Sequence, residues 1–168
     1  MSHMLVLVRH SKAQQEGASD FVRELAPRGL RDAAVAGQWL RDAEIMPDLA
    51  VVSPATRAVQ TWAAMAAAAS STCPVHNDRG IYDGGVEDLL AIVCGAAEEH
   101  RTLALVGHNP TIHALAHDLD DSRGEAKARA EIARSFPTSG IAVFDVDGPW
   151  ADLSPRGATL RRFVVPRG

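Results

Sequence analysis

Arginine and histidine side chains stand shortly after three apolar runs of this sequence. They are Arg9 and His10 after residues 5–8, Arg57 after residues 49–52, and His108 after residues 102–106. A guanidinium fork matches phosphate oxygens, a neutral imidazole can attack phosphorus, and a second imidazole can donate hydrogen bonds to the phosphoryl oxygens. Together these groups predict phosphoryl transfer through a phosphohistidine on one of the two histidines, with arginines supplying the charge that Mg²⁺ supplies elsewhere.

The elements that must position these groups alternate along the chain. Apolar runs predict buried strands at 5–8, 49–52 and 102–106, and helical spacing predicts helices at 27–44, 53–69, 86–97 and 110–119. The other predicted elements are a short strand within 75–81, a solvated helix or mobile flap at 120–134, and closing strands at 141–146 and 159–164. This order predicts a single-domain α/β protein with a mainly parallel central sheet flanked by helices on both faces. Ligands bind beyond the carboxyl ends of such strands, so we expect the four side chains at one sheet edge.

Length and composition limit the protein classes that fit. The chain has 168 residues, a formal net charge of -4 and 46% hydrophobic residues, which suits one domain with a core that needs no metal. Its mild acidity argues against a nucleic-acid partner, which requires a basic face. No apolar run approaches the roughly 20 residues of a membrane span, so no membrane partner is predicted.

The termini and cysteines predict a cytoplasmic location. The first residues lack the basic start and long apolar stretch of a signal peptide, and Cys73 and Cys94 share no metal-binding or redox spacing. Residues 1–3 are predicted to be a vector-derived remnant ahead of a native Met4, which leaves one domain at 4–168 and sets His3 aside from functional reasoning.

Three segments resemble the signature motifs of a known family. They are LVRHSKA at residues 7–13, SPATRAVQT at 53–61 and VGHNP at 106–110. In this order they are similar to the histidine phosphatase (phosphoglycerate-mutase-like) superfamily. The short chain and LAPRG at 25–29 look most like its SixA-type phosphohistidine phosphatase branch. The resemblance implies that His10 is the nucleophile, that Arg9 and Arg57 bind the phosphoryl group, that His108 is the second pocket histidine, and that no cofactor or metal takes part.

The sequence departs from the family pattern at Ser11 and offers no clear match for the general acid. Ser11 stands where the superfamily usually has glycine, and its backbone N–H is expected to bind phosphate; Asn109 is predicted as a further substrate-binding residue. The general acid has no good match. Asp83 is the candidate, with a simple turn residue as its alternative. A weak acid assignment favours an imidazole leaving group, which needs less help than an alkoxide.

The predicted substrate is a phosphohistidine on a partner protein, with a small phosphorylated metabolite as the alternative. Two other classes stay open: a module that binds phosphorylated partners without turnover, and a metal-dependent hydrolase using His113, His117 and Asp118. Three basic residues near the predicted pocket are either substrate contacts or ordinary surface residues. They are Lys12, Arg23 and Arg28.

Overall fold

A six-stranded sheet forms the centre of the computed structural model, which describes residues 2–168. Its strands are β1 (Ser2–Arg9), β2 (Leu49–Val52), β3 (Val75–Asn77), β4 (Thr102–Gly107), β5 (Ile141–Asp147) and β6 (Ala158–Val164). Their spatial order is β3-β2-β4-β1-β5-β6. The first four strands pair in parallel, and β5 and β6 add an antiparallel edge. The predicted α/β class with a mainly parallel sheet is therefore confirmed.

Helices cover both faces of the sheet. They are α1 (Pro27–Asp42), α2 (Thr56–Ala69), α3 (Gly80–Asp83), α4 (Val86–Cys94), α5 (Thr111–Leu119) and α6 (Ala126–Arg134). Side chains alternate along β1, so Leu5 and Leu7 join the core beneath α4, α5 and α6, whereas Val6 and Val8 join the core beneath α1 and α2. Burial on both faces explains why the strand runs are apolar without interruption.

Three predicted elements differ from the structure. Helix α2 begins at Thr56 and not at Ser53, because the backbone of Ala55 is not helical, with a φ of -58° and a ψ of 137°. The Ser53 hydroxyl accepts the Ala55 N–H at 3.2 Å within the turn that precedes the helix. The predicted strand within 75–81 shortens to β3 and passes into α3. Of the two alternatives for 120–134, the helix is found as α6, but it is not solvated on all sides, because its Ala128 and Ile132 are buried in the core.

The N-terminal residues form part of the sheet. Ser2 and His3 continue β1, and His3 pairs with Val146 of β5. The buried His3 ring packs 4.6 Å from the Trp150 ring and donates from Nδ1 to the Gly148 carbonyl at 2.8 Å. Met1 lies outside the described residues, and the vector origin of residues 1–3 stays a prediction. Within residues 2–168, no helix has the length and apolar character needed to cross a membrane.

Candidate active site

A pocket of about 470 Å³ lies at the carboxyl edge of β1 and β4, with β2 next to them. Its lining residues are Arg9, His10, Lys12, Ala13, Gln15, Arg23, Arg57, His108, Asn109 and Thr138. Neighbouring parallel strands end at the same edge, so the residues that follow them converge although they are far apart in sequence. The structure thus brings together the four side chains that the sequence placed after three apolar runs.

The His10 ring presents one nitrogen to the pocket. His10 is 8% exposed, and its Nδ1 lies 2.8 Å from the Ser11 carbonyl oxygen. A carbonyl can only accept, so Nδ1 carries the proton and Nε2 keeps its lone pair. The Arg57 Nε donates to this Nε2 at 3.4 Å. The buried, unprotonated Nε2 is the one nucleophilic atom that this ring offers.

Two guanidinium groups flank His10. Arg57 comes from the first turn of α2 and is 6% exposed. Arg9 ends β1, and its NH1 donates to the Phe136 carbonyl at 3.0 Å. The Arg9 Nε is buried and finds no hydrogen-bond acceptor within residues 2–168. A buried N–H without a partner costs free energy, which an anionic ligand in the pocket would recover.

His108 and Asn109 close the other side of the pocket. The His108 ring centroid lies 5.1 Å from that of His10, and its Nε2 is 2.7 Å from the Ser53 hydroxyl. The Asn109 amide nitrogen donates to the Phe136 carbonyl at 2.9 Å. The His108 Nδ1 and the Asn109 Oδ1 are buried without a partner among the described residues. Both groups therefore keep hydrogen-bonding capacity for a ligand.

Both pocket histidines are held neutral. Burial lowers the pKa of His10 to about 3, outweighing the opposite effect of its bond to the Ser11 carbonyl, and the nearby positive charges lower it further. Burial and then Arg57 lower the pKa of His108 to about 4. At neutral pH the His10 lone pair is therefore free, as nucleophilic attack requires.

These depressed pKa values make stability depend on pH. Unfolded His10 takes up a proton near its ordinary pKa of 6.5, whereas buried His10 does so only near 3. Between these values the unfolded state binds more protons, so the free energy of unfolding falls as the pH falls from 6.5 toward 3. We expect His10→Asn to reduce this slope by up to about 1.4 kcal/mol per pH unit, measured by urea unfolding at a series of pH values. The exposed His76→Asn is the matched control, and equal slopes in the two variants would contradict the assignment.

Two predicted site residues lie outside the pocket. Ser11 is fully buried behind it, where its N–H donates to the Thr61 hydroxyl at 2.9 Å and its own hydroxyl bonds to that of Ser139. This N–H is thus already used within the protein and is not available to phosphate, contrary to the expectation. Asp83 lies on the exposed side of α3, where its carboxylate accepts from the Arg79 Nε at 2.7 Å. The structure does not bring it to the reacting groups.

Sequence reasoning missed two residues that contact the pocket groups. Asp20, in a 3-10 turn at Asp20–Val22, accepts from Arg57 and from the Tyr82 hydroxyl. The Tyr82 ring in turn packs edge-on against the His108 ring, 5.6 Å between centroids. The Tyr82 bond and the arginines Arg23 and Arg57 hold the pKa of Asp20 well below its usual range. The other pocket residues were predicted because they follow apolar runs. Asp20 and Tyr82 do not follow such a run, so this pattern did not indicate them.

The remaining basic residues divide between the pocket and the surface. Lys12 and Arg23 line the pocket, whereas Arg28 pairs with Asp32 of its own helix. The geometry does not support the metal-site alternative. His113 contacts the Ile132 carbonyl through Nε2 at 2.6 Å, and among residues 2–168 no three His, Cys, Asp or Glu side chains group as metal ligands.

Comparisons with known proteins point to one family. Residues 5–89 match the Histidine phosphatase superfamily (branch 1). An uncharacterized protein of Mycobacterium tuberculosis is 41% identical over 162 residues, which cover 95% of this chain and all of that protein. The structure of a candidate phosphohistidine phosphatase SixA from Nakamurella multipartitia superposes with a TM-score of 0.88 at 35% identity, covering 99% of this chain and 97% of that one. A second such structure, from Agrobacterium tumefaciens, gives 0.81 at 29% identity, with 98% of both chains covered.

Proposed function

This chain belongs to the histidine phosphatase superfamily, with the fold of its SixA-type branch, and on that premise we propose that it is a phosphatase acting through a covalent phosphohistidine on His10. One observation carries the proposal. The Nε2 of His10 is buried, unprotonated and beside two guanidinium groups, one of which has an unsatisfied N–H. A module that only binds phosphorylated partners would need the arginines but not this nucleophile.

The reaction proceeds in two displacements at phosphorus. In the first, the His10 Nε2 lone pair attacks in line, the new P–N bond forms, and the bond to the leaving group breaks with its electron pair. Arg9, Arg57 and the His108 ring stabilise the negative charge on the phosphoryl oxygens. In the second, water attacks the phosphohistidine, which releases inorganic phosphate and returns Nε2 to its free state. The charge that these steps require comes from the protein, so we propose that the reaction is metal-independent.

The favoured substrate is a phosphohistidine on a partner protein. The Nakamurella and Agrobacterium structures bear the name of a phosphohistidine phosphatase, which supports this choice. The leaving group supports it as well. With Asp83 paired to Arg79 outside the pocket, the lining holds no carboxylate in position to protonate an alkoxide. An imidazole leaves readily once protonated, and solvent can supply that proton.

We propose that the reaction takes place in the cytoplasm. Cys73 and Cys94 are both free thiols. Unpaired cysteines are typical of reducing compartments.

Comparing substrates tests the proposed function. We expect purified protein to release phosphate from a phosphohistidine-bearing protein faster than from a panel of small phosphate esters, with full activity in EDTA. Rapid acid-free quenching should trap a phosphoenzyme that is labile to acid and stable to base, as a phosphoramidate is. A linkage that survives acid but not base would contradict the His10 intermediate, and faster turnover of a small ester would favour the metabolite substrate. Activity lost in EDTA and restored by Zn²⁺ would overturn metal independence.

Asp83 provides a separate prediction about the leaving group. Because its carboxylate ends in an exposed ion pair with Arg79, we expect Asp83→Asn to change the hydrolysis of alkyl phosphate, aryl phosphate and phosphohistidine equally and by less than about 3-fold. A positioned general acid would instead be worth roughly 10²–10⁴ in rate for the alkyl substrate alone. Steady-state rates on the three substrates decide between these outcomes, with the exposed Asp42→Asn as control.

A further inference from the structure

The two ends of the Arg57 guanidinium have different partners. Its Nε faces the Nε2 of His10 at 3.4 Å. Its NH1 donates to the Asp20 carbonyl at 2.8 Å, and its NH2 donates to the Asp20 Oδ2 at 3.1 Å. A guanidinium is rigid and planar, so fixing the terminal nitrogens fixes the direction of the Nε edge. Asp20 therefore determines which edge of Arg57 is presented to His10.

Asp20 is itself held by one side chain from α3 and by one from its own loop. The Tyr82 hydroxyl of α3 donates to the same Oδ2 at 2.7 Å, and the Arg23 NH2 donates to Oδ1 at 2.9 Å. The Tyr82 ring is fixed in turn by edge contacts with the Phe21 ring at 5.0 Å and the His108 ring at 5.6 Å. The carboxylate side chain of Asp20 is 53% exposed, so these bonds and not burial keep it in place.

We propose that Asp20 and Tyr82 are positioning residues: together they hold Arg57 so that its Nε edge faces the phosphoryl group on the His10 Nε2. The proposal deepens the proposed function and rests on it. Neither residue lines the pocket, so neither touches the reacting atoms; both act through Arg57.

The negative charge of Asp20 and its positioning role predict opposite changes in anion affinity when Asp20 is neutralised. A carboxylate beside the pocket repels a dianionic ligand. If Asp20 only competed with substrate for Arg57, neutralising it would therefore tighten anion binding. Loss of positioning weakens binding instead, because Arg57 must then be ordered by the ligand itself. The sign of the change in affinity thus separates the two roles.

The affinity for tungstate, a tetrahedral phosphate analogue, tests the proposal by calorimetry. We expect Asp20→Asn to weaken binding about 10-fold and Tyr82→Phe about 3-fold, given the value of bonds to charged groups and the exposure of these residues. The matched control is Glu24→Gln, which removes a carboxylate of the same loop that contacts Gln60 and not Arg57. The tungstate affinity of the Glu24→Gln variant should not fall.

The same substitutions in an Arg57→Ala background complete a double-mutant cycle. Once Arg57 is removed, replacing a residue that acts through it should no longer weaken tungstate binding, and Asp20→Asn should show only the small tightening that loss of its negative charge causes. Equal losses in both backgrounds, or tighter binding in Asp20→Asn when Arg57 is present, would overturn the proposal. Tungstate binding needs no turnover, so this test keeps its meaning even if catalysis does not proceed through His10. In the otherwise native enzyme, KM should rise in both variants by more than kcat falls.

A spectroscopic readout tests the contact itself. Tyr82 is the only tyrosine of the chain, so its ionisation can be followed by ultraviolet absorbance or by a single tyrosine Cζ resonance. Its bond to Asp20 raises the pKa of the Tyr82 phenol above 10.0. Asp20→Asn should return it toward 10.0, whereas Glu24→Gln should leave it in place. A phenol pKa that is the same in wild type and Asp20→Asn would show that the contact is absent and would overturn the proposal.

Discussion

Replacing His10 with alanine is expected to abolish phosphate release while leaving the protein folded. The substitution removes the Nε2 lone pair, which the bond from Nδ1 to the Ser11 carbonyl leaves unprotonated and facing the pocket. Loss of a covalent nucleophile costs at least about three orders of magnitude in kcat. His10 follows the last residue of β1 at the rim of the core, so we expect the unfolding transition at neutral pH to remain cooperative.

The measurement is the steady-state rate on phosphohistidine protein, together with circular dichroism to verify the fold. His76→Ala supplies the matched control, because His76 is an exposed histidine in β3, away from the pocket. An alanine variant that retained activity within about tenfold of the wild type would rule out His10 as the covalent residue.

Removing Arg57 should have the second largest effect. We expect Arg57→Ala to lower kcat/KM by about 10²–10³ and to weaken tungstate binding, because the guanidinium acts in the transition state as well as in the bound complex. Arg57→Lys should restore only part of this loss, since an ammonium is a point charge that cannot reach both His10 and Asp20 as the planar fork does.

Kinetics of the alanine and lysine variants provide the test. The same two substitutions at Arg41, an exposed arginine of α1, control for the loss of positive charge as such. If lysine restored full activity at position 57, then charge alone and not fork geometry would be what the reaction uses.

The fold was largely predictable because its strands are buried on both faces. A continuous apolar run such as residues 5–8 has few other interpretations when helical patterns alternate with it. Element ends were harder. The start of α2 depends on the non-helical backbone of Ala55, and the Ser53 hydroxyl that precedes it bonds both to Ala55 and to His108. A sequence pattern shows neither the backbone angles nor the bond to His108.

The side chains that face the pocket were predictable, and those that support it were not. Arg9 ends β1, His10 follows it and His108 follows β4, and residues at the carboxyl ends of neighbouring parallel strands lie at the same edge of the sheet. Asp20 meets a tyrosine that is 62 residues away in sequence, and its own segment has no periodicity. Ser11 is next to His10 in sequence, but it is buried, and its backbone N–H donates to the Thr61 hydroxyl. Sequence proximity to the nucleophile therefore did not imply contact with the ligand.

Asp32 is a charged residue of α1 whose burial the sequence pattern does not predict. Charged residues on a helix are usually solvated, and the spacing of α1 predicts that Asp32 faces outward. The structure buries it completely, with Oδ1 accepting the Gly168 N–H at 2.9 Å and with Arg28 and Arg167 near Oδ2. The partners that make this burial tolerable come largely from the end of the chain, which no local pattern connects to α1.

The bond from the His10 Nδ1 to the Ser11 carbonyl also decides the chemistry of the intermediate. Phosphohistidine exists as two regioisomers, with phosphorus on one ring nitrogen or the other. Since the backbone holds the proton on Nδ1, the proposed mechanism yields only the isomer phosphorylated on Nε2. Antibodies that distinguish the isomers should therefore recognise the trapped enzyme with one specificity. Because the selecting group is a main-chain carbonyl, no side-chain substitution can remove it directly, so the same isomer should form in every pocket variant that retains His10.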